Sequence, residues 1–185
     1  MKKVSEEIFY PEESIVTANQ SDIEFLKSQA LNNKRKRSRL CTHKDVNDAL
    51  HEMLIIHEND TYVRPHKHIG KSESFHIIVG TVDVIIFNEQ GDIIKVVSLG
   101  EYKSGGAFYC RIAQEAYHTV IITSQTAVFH EVTNGPFKKN DCVFAPWAPS
   151  EENQEAVLEY SRDLIKRKES ILKRLDSQKE KEVRP

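Results

Sequence analysis

The chain has little of what rigidifies small domains locally or covalently. Its 185 residues include three cysteines, seven glycines, six prolines, two methionines and one tryptophan. Cys41, Cys110 and Cys142 are odd in number and widely spaced, which argues against a disulfide framework. They read as reduced packing thiols of a cytoplasmic protein. Neither charge dominates: 26 lysines and arginines face 28 aspartates and glutamates, a net charge of −2. No basic field therefore points to nucleic acid. The opening "MKKVSEEIFYPEES" lacks the apolar core of a signal peptide, and no run approaches membrane-spanning length. The 39% of hydrophobic residues are enough for one soluble domain with appendages.

The scarce glycines show where the chain turns. All seven lie between Gly70 and Gly135. The same window holds the β-branched runs "FHIIVG", "TVDVIIF", "DIIKVVSLG", "HTVIITS" and "TAVFHEVT", with "FNEQGDII" patterned as a hairpin. Short, regularly spaced strands predict a mainly β middle, a sandwich or small barrel. Upstream, "SDIEFLKSQALNNKRKR" places Ser21 and Glu24 at capping-box spacing and predicts a short helix. Downstream, Ser150 is positioned to cap a long helix over residues 151–175. Its apolar residues fall in two adjacent columns, Val157, Leu164, Ile171 and Leu158, Ile165, Leu172. The ending "SQKEKEVRP" reads as frayed. The organisation expected is an N-terminal extension over 1–20, a β domain with its helix over 21–149, and a C-terminal helix and tail over 150–185.

Chemistry concentrates in "RPHKHIGKSESFHIIVG", residues 64–80. His66 and His68 are two apart and share a strand face, and Glu73 follows after a turn. If these point into a barrel, His118 at the head of "HTVII" is the distant histidine best placed to join them. Three imidazoles and a carboxylate suit one borderline divalent ion (iron, manganese, nickel or zinc) with coordination positions left open. The same residues also fit strand histidines bonded to backbone and water. His76 falls on the opposite face from Glu73. His130 and Glu131 are adjacent in "VFHEV", so one of them faces inward as a candidate catalytic acid or base. His43, His51 and His57 read as ordinary polar residues. The basic run containing Arg35, Arg37 and Arg39 is either a solvated face or a grip for the diphosphate of a nucleotide sugar. Trp147 either stacks on a sugar ring or staples the C-terminal segment to the core.

The order His-x-His, four residues, Glu, six residues, Gly, through His66, His68, Glu73 and Gly80, resembles the first cupin motif. Of the second motif "AQEAYHTVII" keeps the histidine, His118. Together with "KRKRSRLCTH", "TYVRPHKH", "VFHEVTNGPF" and "FAPWAPSEE", the chain from about Ser21 to Glu152 is similar to the WbuC family of cupin-fold metalloproteins. The resemblance implies a cupin double-stranded β-helix, or jelly-roll barrel, with an N-terminal helix and a long C-terminal helix. It also implies metal held by His66, His68, Glu73 and His118, and a role in bacterial surface-polysaccharide (O-antigen) synthesis. The expected ligand is a sugar or nucleotide sugar, and the expected reaction an isomerisation or epimerisation. A non-catalytic metal-dependent sugar-binding or regulatory module and an iron-dependent dioxygenase are the alternatives. The helical stripe predicts a homodimer.

Overall fold

The computed structural model describes residues 1–113 and 115–182. In chain order its elements are β1 (Lys2–Lys3), β2 (Ile8–Tyr10), helix α1 (Gln20–Asn32), β3 (Arg37–Cys41), β4 (Leu50–Glu58), β5 (His66–His68), β6 (Glu73–Val79) and β7 (Thr81–Phe87). There follow β8 (Ile93–Gly100), β9 (Tyr109–Ile112), β10 (Tyr117–Ile122), β11 (Thr126–Asn134), β12 (Cys142–Phe144) and helix α2 (Gln154–Glu182).

Two sheets form, ordered β1-β2-β3-β4-β11-β6-β9 and β12-β5-β10-β7-β8. Neighbours are antiparallel except β2 and β3, which run parallel. From β4 onward the chain passes repeatedly between the sheets, so long-range pairs such as β4 with β11 and β7 with β10 hold each sheet together. The fold is mainly β, a two-sheet jelly roll with a helix at each end. The sheets face each other without closing into a continuous barrel.

Alternation along the strands decides the layers. Met53, Ile55, Phe75, Ile77, Val82, Val84, Ile86, Val120, Ile122, Ala127 and Phe129 point between the sheets and make the main core. The alternate residues Leu40, Ile56 and Val128 point outward and are covered by Leu26 and Ala30 of α1. On the other sheet Ile85, Phe87 and Tyr117 point outward under Leu164 of α2. Burying side chains of this size removes on the order of 1.5–3 kcal/mol of apolar exposure each, which is what fixes both helices.

The helix ends differ from the sequence expectation. Asn19, not Ser21, caps α1: its Oδ1 accepts from the Ser21 and Asp22 backbone N–H groups, and the Asp22 carboxylate accepts from the Asn19 N–H. Asn-x-x-Asp closes a reciprocal box as well as Ser-x-x-Glu. Helix α2 starts at Gln154, where Asn153 accepts at Oδ1 from the Ala156 N–H, while Ser150 bonds only within the preceding turn. The tail expected to fray from Ser177 continues as helix to Glu182, and residues 183–185 lie outside the described residues.

Candidate metal centre

β5 is only three residues long, yet it aims two imidazoles at one point. Lys67 between them turns to the outer face, 2.7 Å from Glu89 and 4.5 Å from the Tyr117 ring centre. His66 and His68 therefore face inward. His118 of β10 stands opposite His66 in register. These three histidines belong to the five-stranded sheet. Glu73, the first residue of β6, reaches them from the seven-stranded sheet. One ligand atom from each of the four lies within 4.8 Å of the others. Glu73 and His118 are buried, while His66 and His68 are half-buried.

The surrounding backbone orients the rings. His66 Nδ1 donates to the Arg64 carbonyl and His118 Nδ1 to the Ala116 carbonyl, each at 2.9 Å. A carbonyl only accepts, so in both rings Nδ1 carries a proton and Nε2 is turned to the cluster, the arrangement typical of metal-bound imidazole. Burial, with the neighbouring charge of His118, pushes the His66 pKa down to about 4, so its Nε2 lone pair is free at neutral pH. Burial alone would raise Glu73, but the bond from His118, with the histidine rings beside it, more than offsets burial and holds the carboxyl ionised. His118 is shifted up: burial opposes its charge, and the Glu73 carboxylate at 2.8 Å outweighs burial. His68 Nε2 lies 3.4 Å from Glu73 Oε1 without a satisfied hydrogen bond. A buried nitrogen without a bonded partner, aimed at a carboxylate beside two other imidazoles, fits a divalent cation. The residues present therefore suit the ion that the motif implies.

Glu131 is the inward member of its pair with His130. It shares the inner face of β11 with Ala127 and Phe129. Its carboxyl meets Glu73; burial and then the Glu73 charge raise its pKa well above the carboxylate range. His130 lies on the outer face, 3.7 Å from Glu52 and paired across strands with His76. It does not reach the cluster. Cys142 stands opposite His68, and burial followed by the Glu73 charge keeps its thiol protonated.

The proposed substrate-binding residues divide. Arg35 and Arg37 are taken up by carboxylates: Arg35 reaches Glu151 at 2.6 Å and Glu7 at 3.2 Å, and Arg37 reaches Glu7 at 3.1 Å. They tie the N-terminal segment and the approach to α2 onto β3. Arg37 pairs with His57, and His57 with Ala127, whereas Glu73 pairs with Thr133 six residues further along β11. At about 3.3 Å per residue that separation is roughly 20 Å. Arg39 alternates with Ser38 and Leu40, so it projects inward, where its charge opposes the raised pKa of Glu131. Trp147 lies on the far side of the five-stranded sheet. Its ring packs 4.9 Å from Phe87 and 5.8 Å from Tyr117, and its Nε1 donates to the Glu89 carbonyl. Gly91, at φ +88°, leaves room for that ring, since a Cβ there would stand 2.8 Å from it. Trp147 is a staple, and a sugar at the cluster is out of its reach.

Two buried polar groups received no site role from the sequence. Arg64 carries a buried Nε without a partner beside the Phe144 ring. His51 shares its strand face with Met53 and Ile55 and is buried. The alternation of "HEMLIIH" places His51 and His57 with those two residues, but a histidine in an apolar stripe does not announce which way the stripe faces.

Among the described residues no helix is long and apolar enough to cross a membrane. A family model described as a domain of unknown function, DUF6016, matches residues 18–99. No curated protein matches the chain. Among solved structures it is similar to protein SO0799 from Shewanella oneidensis, at 8% identity and a TM-score of 0.48, covering 68% of this chain and 78% of that one. It is similar to oxalate decarboxylase from Bacillus subtilis at 17% identity and a TM-score of 0.45; the match covers 58% of this chain and spans only 27% of the decarboxylase. It is also similar to TT1209 from Thermus thermophilus, at 16% identity and a TM-score of 0.44, covering 55% and 86% of the two chains.

Proposed function

We propose that the chain holds one divalent metal ion at His66, His68, Glu73 and His118 and acts on a carbohydrate or nucleotide-sugar intermediate as an isomerase or epimerase. The observation that carries this reading is the convergence of four ligand atoms within 4.8 Å, with backbone carbonyls orienting two of the rings. An ion bound there would polarise a carbonyl or hydroxyl oxygen of the ligand. Glu131 then supplies the proton chemistry, because burial and the Glu73 charge raise its pKa well above the usual carboxylate value, so that it can hold a proton and hand it on. That group favours an enzyme over a purely binding module, whose inner face would need nothing beyond the ligands. The narrower assignment, to bacterial surface-polysaccharide synthesis in the manner of WbuC proteins, rests on the motif resemblance.

The test is metal analysis of untagged protein followed by assays on nucleotide sugars. Glu131→Gln is expected to retain metal and lose turnover by about 100-fold or more, the scale of a lost general acid or base. Retained turnover in that variant removes Glu131 from the reaction. Absence of turnover on every nucleotide sugar, with stoichiometric metal and ligand-induced stabilisation, returns the protein to a binding role.

A further inference from the structure

β12 is an end strand of the five-stranded sheet, and Phe144 stands on it beside the metal centre. Phe144 pairs in register with His66, whose ring faces the cluster, so the two share a face. Their ring centres are 6.3 Å apart, and Phe144 is 51% exposed. A large apolar ring so placed offers a flat face to a ligand that reaches the cluster from this edge. The segment carrying it is anchored. The Ala145 N–H donates to the Pro65 carbonyl and the Tyr62 hydroxyl to the Pro149 carbonyl, each at 2.9 Å.

Arg64 enters the same place twice. Its carbonyl takes the Nδ1 proton of His66, and its guanidinium carbon lies 4.9 Å from the centre of the Phe144 ring. A guanidinium carries five N–H donors and a permanent charge. Here it makes one bond, from Nη2 to the Ala145 carbonyl, and at 3.4 Å that bond is long. Nε is sealed and has no partner. Nη1 has no partner among the described residues either, but it is not sealed, so the terminal end of the fork stays open to an incoming group. No carboxylate among the described residues neutralises the charge. Burial raises the Glu151 pKa and Arg64 is among the charges opposing it, but Glu151 stands outside ion-pair range, engaged by Arg35 at 2.6 Å and Arg37 at 3.6 Å. Lys67 and Lys71, the other cations of this stretch, each have an acid within 3.1 Å. A half-buried guanidinium without a counter-ion has lost part of its hydration with no partner in return. An anion from outside the chain completes it.

We propose that Arg64 and Phe144 receive the acidic end of a ligand whose other end meets the metal, which makes that ligand an acidic sugar, either a sugar acid or a sugar phosphate. The oxyanion accepts from the terminal N–H groups of Arg64, and a carbon face of the sugar lies on the Phe144 ring. The sugar skeleton and the metal anchor rest on the proposed function; the preference for an anion rests on Arg64 alone.

Calorimetry on the full chain, zinc-loaded and chelator-treated, tests this with D-gluconate and D-glucose 6-phosphate against neutral D-glucose. At least one of the two acids is expected to bind tenfold or more tighter than glucose, and the tighter one identifies the acidic group. Arg64→Met keeps the apolar stem and the carbonyl that orients His66 and removes the charge. It is expected to weaken the acid about tenfold or more, the scale of charge-assisted bonds, with zinc stoichiometry and any glucose binding unchanged. A purely structural arginine would instead lower zinc occupancy or affect acid and neutral sugar alike. Arg64→Lys, which restores the charge without the fork, is expected to recover part of the loss. Should Arg64→Met fail to fold, Phe144→Glu at the exposed edge sets a carboxylate beside the guanidinium and is expected to weaken the acid to a similar extent. Glucose binding as tightly as both acids, wild-type acid affinity in Arg64→Met or in the Phe144→Glu variant that replaces it, or no binding of either acid overturns the assignment. If zinc does not bind but acid binding still depends on Arg64, the metal reading fails and the anion site stands. If zinc binds and neither acid does, the metal reading stands and the anion site fails.

Discussion

His118 and Glu73 meet across the gap between the two sheets, Nε2 to Oε2 at 2.8 Å. With Nδ1 committed to the Ala116 carbonyl, the proton between them makes His118 an imidazolium, and it occupies the place an ion would take. Metal binding must release that proton. His118 is shifted up and His66 is already neutral down to about 4, so His118 governs the competition. Metal affinity is expected to fall about tenfold per pH unit below the His118 pKa, one proton exchanged per ion. Competition titrations with a chromophoric chelator from pH 8 to pH 5 measure it. A flat profile contradicts histidine ligation.

Removal of a ligand imidazole has a simpler readout. His66→Ala or His68→Ala is expected to abolish stoichiometric metal by elemental analysis. His51→Ala, on the same inner face but outside the four-residue cluster, is expected to leave it unchanged. Full occupancy in a His66/His68 double variant rejects the site.

His57 is expected to limit acid stability. It is buried with Nδ1 unpartnered, edge-on to Phe129 at 5.3 Å, and burial lowers its pKa to about 3. The unfolded chain takes up the proton near pH 6.5 and the folded chain does not. Its contribution is therefore complete above pH 6.5 and is lost as pH falls towards 3. Linkage gives a loss of about 2 kcal/mol between pH 7 and pH 5 from this group. His57→Phe is expected to flatten the pH dependence by about that amount in urea denaturation at the two pH values. An unchanged slope would show that another group carries the acid sensitivity.

The attachment of α2 centres on a buried ion pair. Lys168 Nζ lies 2.7 Å from Asp83 Oδ2, and Ser98 donates to the other carboxylate oxygen at 2.6 Å. Lys168→Met leaves Asp83 buried and uncompensated, with an expected cost of about 3–5 kcal/mol. Lys168→Met combined with Asp83→Leu is expected to recover most of it, because the pair's own attraction roughly balances its desolvation. Equal losses in the single and double variants would mean that packing, not the orphaned charge, is responsible.

The homodimer remains a proposal with a defined face. Val157 and Leu164 of α2 are buried, Leu164 against the five-stranded sheet, while Leu158 and Ile165 of the neighbouring column are 58% and 38% exposed. If a second copy covers them, Leu158→Lys with Ile165→Lys is expected to convert a dimer to a monomer in light scattering. A monomeric wild-type chain rejects the dimer, and a dimeric variant moves the interface to the outer surface of the β domain. Truncating the whole helix is uninformative, since it uncovers Phe87 and Tyr117.

Properties set by neighbours along the chain were legible from the residues. The His66–His68 spacing put both rings on one face because strand side chains alternate. The "NEQG" segment turned a hairpin because Gly91 takes φ +88°. The apolar runs formed strands, and the four metal-ligand candidates came together in one cluster. Period-two alternation also established that His130 and Glu131 point opposite ways, but it holds equally if the whole strand is reversed. Which of them faces the cluster followed from which face each helix covered. Val128 lies under α1, so Phe129 and Glu131 turn inward. The same covering sent Trp147 and Tyr117 beneath α2 and away from the metal ligands. It left Arg35 and Arg37 to Glu7 and Glu151, partners 28 and 116 residues from Arg35. It also buried His51. Local spacing specifies relative direction; absolute direction depends on contacts such as His118 with Glu73, 45 residues apart, which exist only once two sheets have closed on one another.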